Sequence, residues 1–241
     1  MVQDIITASF NELKTVLSWS SNNEGKDIVL VGGWAVYSYN KWYGSVDIDL
    51  VSSRKTRKSL EHFLLTEKGY KPLRNKGGGT VFKPFVGPQK IIIDFANREE
   101  HYLFEGGKEE LNFNVLEGHT VVRGITGELI VTVPERALLL LFKLKAAWDR
   151  HYRISNSSSH DPEWETSKLL KDRADVLALL DPKADNIDLD LLFLGEMMER
   201  YDFLTGALDA IKADTESHRK YGMMDSDDCR KVIDNLLVLI R

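Results

Sequence analysis

Asp47, Asp49 and Asp94 have the residue type and spacing to gather divalent metal ions, and with them the chemistry of phosphate transfer. Asp47 and Asp49 alternate with Val46, Ile48 and Leu50 in a segment that reads as a strand over 46–51. Alternation sends the apolar side chains to the core and both carboxylates to the other face. Their Cα atoms would lie about 6.5–7 Å apart. Carboxylates at that separation can converge on two metal ions roughly 3.5–4 Å apart, and hard oxygen ligands of this kind select Mg2+ or Mn2+. Taken alone, a D-x-D on a half-exposed strand is also what a polar outer face looks like. Asp94 adds to it, because it ends the apolar run of Ile91, Ile92 and Ile93. A carboxylate on such an interior strand costs on the order of several kcal/mol unless paired or metal-bound. The alternative is a strand-end aspartate that reaches solvent or Arg98.

Elements that could position these groups are legible around them. Residues 28–31 (Ile, Val, Leu, Val) read as a short buried strand that stops at Gly32 and Gly33, with a helix beginning near Trp34. A glycine pair there lets a phosphate approach the backbone, and the helix N-terminus offers N–H groups and positive potential. Neither a P-loop nor a dinucleotide fingerprint occurs. An amphipathic helix is expected over 4–18, and a second over 53–66 capped by Ser52 or Ser53. Strands are expected over 70–73, 80–85 and 90–96, with glycine turns at 77–79 and at Gly87. The stretch 97–128 reads as looser, with short strands over 111–116 and 120–123, before a strand over 129–133. The period then becomes helical, over about 134–150, 163–180, 188–212 and 226–240, and Thr132 with Glu135 resembles a capping box with Pro134 in the first turn. The expected class is α+β: a mixed sheet with flanking helices over 1–132, then a helical domain over 133–241.

In combination the motifs resemble the signature of the nucleotidyltransferase superfamily, the DNA polymerase beta-like fold. V-G-G-W-A-V at 31–36 and S-V-D-I-D-L at 45–50 carry the resemblance, with thirteen residues between Gly33 and Asp47. The Gly-Gly-Trp-Ala start looks most like antibiotic nucleotidyltransferases of the lincosamide and aminoglycoside type; the D-I-D-L strand and chain length are similar to AbiEii-type toxins. Residues 134–146 and 171–180 resemble the helical segment that follows the catalytic domain in these enzymes. The resemblance implies a nucleotidyltransferase fold with a C-terminal helical bundle. It further implies an NTP substrate, ATP being the expected one, with Mg2+ or Mn2+ on Asp47, Asp49 and Asp94, and transfer of the NMP to a hydroxyl. Gly32, Gly33, Ser45 and Lys143 would position the triphosphate. Lys143 is expected there because its helical neighbours Leu139, Leu140 and Ala147 are apolar, and a buried lysine needs an anion. Where many relatives carry a Ser after the glycines and an Arg before the D-x-D serine, this chain has Trp34 and Trp42, Tyr43 and Gly44. Those departures support a second expectation, a non-catalytic module of the same fold acting as a binding or toxin–antitoxin component.

Bulk composition bounds these readings. With 43% hydrophobic and 29% charged residues over 241 positions the chain is globular in type. The longest apolar stretch, 137–142, is closed by Lys143, so no membrane span is expected, and the first residues have no signal-peptide character. The lone Cys229 fits a reducing cytoplasm, and six scattered histidines leave too few ligands for structural zinc. The net charge of −5 hides an asymmetry: residues 54–90 carry ten Lys/Arg against Glu61 and Glu67, whereas from Asp181 onward fourteen Asp/Glu face eight Lys/Arg. A basic run is either a solvated face or a rim beside a phosphate site, and the 54–76 stretch permits a nucleic-acid acceptor such as tRNA, while a small molecule or a protein hydroxyl fits as well. Lys168 with Asp172, and Lys171 with Asp175, are spaced as surface i,i+4 pairs, and Arg173 falls in an apolar helical face where it must snorkel or find an acid.

Overall fold

A computed structural model describes residues 4–23, 27–73, 79–127, 129–184 and 189–240. The chain divides into two compact units: Met1–Glu100 with Asn112–Pro134, and His101–Leu111 with Glu135–Arg241. The division at Pro134 falls two residues from the expected boundary. The segment His101–Leu111 groups with the helical unit, because Phe104 stacks on Tyr201 and Phe203 and the Tyr201 hydroxyl donates to the Glu110 carbonyl.

The first unit is built on a five-stranded sheet. Its elements are α1 (Ile5–Ser21), β1 (Ile28–Val31), α2 (Gly32–Tyr39), β2 (Ile48–Ser52), α3 (Arg54–Glu67), β3 (Lys71–Pro72), β4 (Thr80–Pro84) and β5 (Lys90–Asn97). The strand order is β1-β2-β5-β4-β3, with β2 and β5 parallel and every other pairing antiparallel, so the sheet is mixed. A second, two-stranded sheet joins β6 (Thr120–Thr126) to β7 (Leu129–Pro134). Ile48 and Leu50 on β2, and Ile91, Ile93 and Phe95 on β5, fill the core, as period-two alternation requires. Asp4 caps α1 and Ser53 caps α3, each accepting from a first-turn amide. The 77–78 part of the expected glycine turn lies outside the described residues. Three expectations need correction. β2 starts at Ile48, so Asp47 precedes the strand rather than sitting within it. Residues 113–116 form a 3-10 turn, not a strand, and bury Leu116. Thr132 lies in β7 and Glu135 is itself the N-cap of the next helix, so no capping box forms and Pro134 ends the strand.

The second unit is helical: α4 (Arg136–Ser155), α5 (Pro162–Leu180), α6 (Leu191–Arg200), α7 (Leu204–Ala213), α8 (Thr215–Tyr221) and α9 (Ser226–Leu239). The helix expected over 188–212 is two helices, broken at Tyr201, whose ring is buried and whose hydroxyl is held by the Glu110 carbonyl. Asp214 accepts from the amides of Glu216 and Ser217 and so starts α8, which periodicity alone does not reveal in seven residues. Arg136 donates to the Leu179 and Asp181 carbonyls, closing the C-terminal end of α5 with a cation where the helix dipole favours one. No described helix is long and apolar enough to cross a membrane.

Candidate functional site

Adjacent parallel strands place Asp49 of β2 directly opposite Asp94 of β5. On β2 the flanking Ile48 and Leu50 are buried in the core, and on β5 so are Ile93 and Phe95, so both carboxylates leave from the same, half-buried face. Carboxylates opposed in register on neighbouring strands repel unless a cation or donors lie between them. One donor comes from β4: Thr80 pairs with Asp94, and its hydroxyl donates to Asp94 Oδ1 at 2.6 Å.

The glycine turn reaches the same place. β1 pairs with β2 so that Val31 lies opposite Asp49, and the next residue, Gly32, opens α2 in the left-handed region at φ +68°. A Cβ on Gly32 would stand 1.9 Å from Asp49 Oδ2, so the carboxylate occupies the space that any side chain here would need. Glycine is thus required twice over, by conformation and by contact. Val31, the N-cap of α2, contributes no side-chain cap, leaving the start of the helix to whatever lies before it. At the other end of α2, Arg123 donates through Nε and Nη2 to the Ser38 carbonyl, both at 3.1 Å, and its guanidinium lies 4.1 Å from the Tyr39 ring centre. The Tyr39 hydroxyl donates to the Pro134 carbonyl. Helix α2 is therefore anchored at its C-terminal end while its N-terminal end meets Asp49.

Gly32→Ala should lose about 1–3 kcal/mol of stability from the left-handed backbone alone. The new methyl would also displace the Asp49 carboxylate. Urea denaturation checks the loss; a variant as stable as wild type would show that the backbone and Asp49 adapt to a side chain here.

The remaining expected site residues are placed less closely. Asp47 lies at the bend before β2, two residues from Asp49, and is half-buried. Ser45 is buried in the connection from α2 to β2, and Gly33 is buried in the first turn of α2. Among the described residues, no group of three or more His, Cys, Asp or Glu side chains lies together as a metal cage. The donor set that fits a hard divalent ion is accordingly the Asp49 and Asp94 pair, beside the side-chain-free Gly32. Thr80 carries no sequence signal of its own, since its role arises only from the register of β4 on β5.

Of the aromatic residues near the turn, Trp34 and Tyr39 are buried, Tyr37 and Trp42 half-buried and Tyr43 exposed. Trp34 donates to Ser9 Oγ and packs on Phe10 and Tyr37 with ring centres 5.3 Å apart in each case. In the basic stretch, Arg54, Lys55 and Lys58 are exposed on α3, with no acid in its first turn. Arg57 instead folds over Gly79, at whose φ of +100° a Cβ would meet Nη1 at 3.0 Å. Arg74 and Lys76 lie outside the described residues.

Lys143 is buried, as its apolar neighbours indicate, and its anions are protein carboxylates. Its Nζ lies 2.9 Å from Asp172 Oδ1 and 2.7 Å from Asp175 Oδ2 on α5. The electrostatic demand that pointed to a triphosphate is thus met inside the helical unit. Nor are the α5 acids the solvated partners that i,i+4 spacing suggests: Asp175 is fully buried and takes Lys143 as well as Lys171. The pairs extend outward, from Asp172 to Arg150 Nε at 2.8 Å, from Arg150 to Glu165 at 2.7 Å, and from Glu165 through Arg153 to Glu105 at 2.7 and 2.9 Å. Arg173 finds its acid in Asp214 at 2.7 Å.

Burial would raise the Asp172 carboxyl, but Lys143 and Arg150 outweigh it and bring it down to about 2. Burial would likewise lower the Lys143 ammonium, and the two aspartates outweigh it and raise it above the ordinary lysine range. A carboxyl held below its unfolded value stabilises the fold above that value and ceases to do so as pH falls through the folded one. The helical circular-dichroism signal should therefore fall between pH 3.8 and about 2. A flat signal across that range would show that these pairs contribute little.

No protein-family model matches this sequence, and no curated protein is detectably similar to it.

Proposed function

We propose that the chain is a metal-dependent nucleotidyltransferase, transferring an NMP from an NTP to a hydroxyl acceptor with release of pyrophosphate. The fold proposed is the nucleotidyltransferase sheet followed by a C-terminal helical bundle. The observation that carries the reading is the convergence of Gly32, Asp49 and Asp94. Two carboxylates share one register position on adjacent strands, and a helix starts against one of them at a residue that must lack a side chain. That combination suits a phosphate chain bound through divalent metal, and a polar outer face alone gives no reason for it.

In this reading Asp49 and Asp94 hold Mg2+ or Mn2+, with Asp47 approaching from the bend before β2. When bound, the metal neutralises phosphate charge and lowers the pKa of the acceptor hydroxyl. The chain's own residues do the rest. Gly32 and Gly33 present backbone at the start of α2, where the helix field favours an anion, and Ser45 lies in the connection leading to Asp47. Asp94, oriented by Thr80, accepts the proton of the attacking hydroxyl. Catalysis of this kind is mostly placement and charge neutralisation. Lys143 is left out of the triphosphate contacts, because Asp172 and Asp175 already hold it.

A second reading is favoured by one observation: among the described residues no three-acid metal cage is formed. A non-catalytic module of this fold would bind nucleotide, or a partner protein, without turnover. Calorimetric titration with each NTP, with and without Mg2+, tests the site common to both readings. Metal-dependent binding of at least one NTP is expected, and its absence for all four would contradict a nucleotide site. The acceptor can be a small molecule, a protein hydroxyl or an RNA such as tRNA, the last drawn by the exposed cations of α3.

A further inference from the structure

We propose that the helical unit binds a small aromatic carboxylate in a cavity between α4, α5 and α7, with Arg173 and His151 at its polar edge. The site draws on none of Gly32, Asp49 or Asp94, and so goes beyond the nucleotidyltransferase reading. Helices α5 and α7 both pack on α4 but scarcely on each other, and the gap between them is a cavity of about 200 Å3. That volume takes one six-membered ring with a short substituent, since a cavity of roughly 150 Å3 already admits benzene.

The apolar part of the cavity follows from the sequence of α7. Leu204, Leu208 and Ile211 are buried in the core, while Gly206, Ala207 and Ala210, on helical spacing, leave the adjoining face without bulk. Glycine within a helix costs stability, and a Cβ on Gly206 would meet nothing within 4 Å, so packing gives no reason for it. A ring lying against α7 gives one. Another wall is Trp148 of α4, fixed by its indole N–H, which donates to the Glu105 carbonyl at 3.2 Å, and by the Phe203 ring, 4.8 Å away between centres.

The polar edge selects the charge of the occupant. The Arg173 side chain is only 13% exposed, and its Nη1 donates to Asp214 at 2.7 Å. It makes no other hydrogen bond among the described residues, which leaves Nε and Nη2 as donors that suit the two oxygens of a carboxylate. His151 lines the cavity from an exposed position and makes no hydrogen bond among the described residues. Partial burial, then the charge of Arg173, holds its imidazole below the ordinary histidine range, so at neutral pH the ring is uncharged and offers one N–H. A doubly charged phosphate on Arg173 would be repelled by Asp214 more strongly than a carboxylate with its single charge.

The test is calorimetric titration of the full chain with sodium benzoate, with benzamide as the ring without the charge, and with acetate as the charge without the ring. Benzoate should bind at least about tenfold more tightly than either, the size of a hydrogen bond to a charged group. Ala210→Leu fills the cavity and should abolish benzoate binding while keeping the helical circular-dichroism signal; Gly206→Leu serves the same purpose should that variant misfold. Arg173→Lys keeps a charge for Asp214 but not the planar fork, and should weaken benzoate by about tenfold. Absence of saturable benzoate binding to the wild-type chain overturns the proposal. So does equal affinity for benzoate and benzamide, binding that survives Ala210→Leu unchanged, or wild-type affinity in Arg173→Lys. None of these results touches the nucleotidyltransferase reading.

Discussion

Asp49→Ala is expected to abolish Mg2+-dependent NMP transfer while leaving the chain folded. In the proposed reading Asp49, which faces Asp94 across the β2–β5 pair and adjoins the Gly32 backbone, would be a direct metal ligand. Losing it should cost at least as much as the roughly 10–100-fold effect of disturbing a ligand's neighbours. Asp49→Asn, which keeps shape without charge, should behave the same. Label transfer measured beside thermal unfolding tests the pair of expectations. A fully active Asp49→Ala enzyme would remove Asp49 from the mechanism; an inactive but strongly destabilised one would point to a structural aspartate instead.

The second large effect is on stability, at Lys143. Lys143→Ala should cost about 3–5 kcal/mol, because two buried carboxylates lose their shared cation. Asp172 keeps Arg150 and Asp175 keeps Lys171, so the loss is a partial one for each acid. The more telling variant is Lys143→Met with Asp175→Leu, which removes the buried cation with the more deeply buried of its two acids, leaves Asp172 to Arg150, and should recover much of that stability. Urea midpoints followed by circular dichroism decide it. A single variant as stable as wild type would mean that solvent already screens these groups. If Lys143→Ala abolished NTP binding without any change in stability, Lys143 would return to the triphosphate contacts.

Part of the candidate site's geometry was legible because its signals are local. Alternation over 48–50 matches the burial of Ile48 and Leu50 around Asp49, although the strand does not reach Val46 and Asp47, and a strand stopping at two glycines announces a close backbone approach; both patterns need only neighbouring residues. The contact between Gly32 and Asp49 is a different matter, since it depends on β1 pairing with β2 in one particular register. Thr80 was invisible for the same reason. A threonine after a glycine turn is unremarkable until β4 settles opposite Asp94. Lys143 illustrates half an inference: apolar neighbours on its own helix correctly required an anion, but the identity of that anion depended on α5, 29 residues further along the chain. Tyr201 and Asp214 show how tertiary contacts end helices where periodicity continues. Tyr201 is drawn out of the α6 line by burial and the Glu110 carbonyl, and Asp214 serves both as the cap of α8 and as the partner of Arg173.

Nucleotidyl transfer carries the α-phosphorus of the NTP to the acceptor, whereas kinase-type transfer carries the γ-phosphorus. Incubating the chain with a cell extract, Mg2+ and NTP labelled in parallel at the α- or the γ-phosphate reads that atom directly. Nucleotidyl transfer predicts that α-label alone enters an acceptor, in RNA, protein or metabolites, and that Asp49→Ala removes the signal. Transfer of γ-label, or α-label incorporation that survives Asp49→Ala, would contradict it.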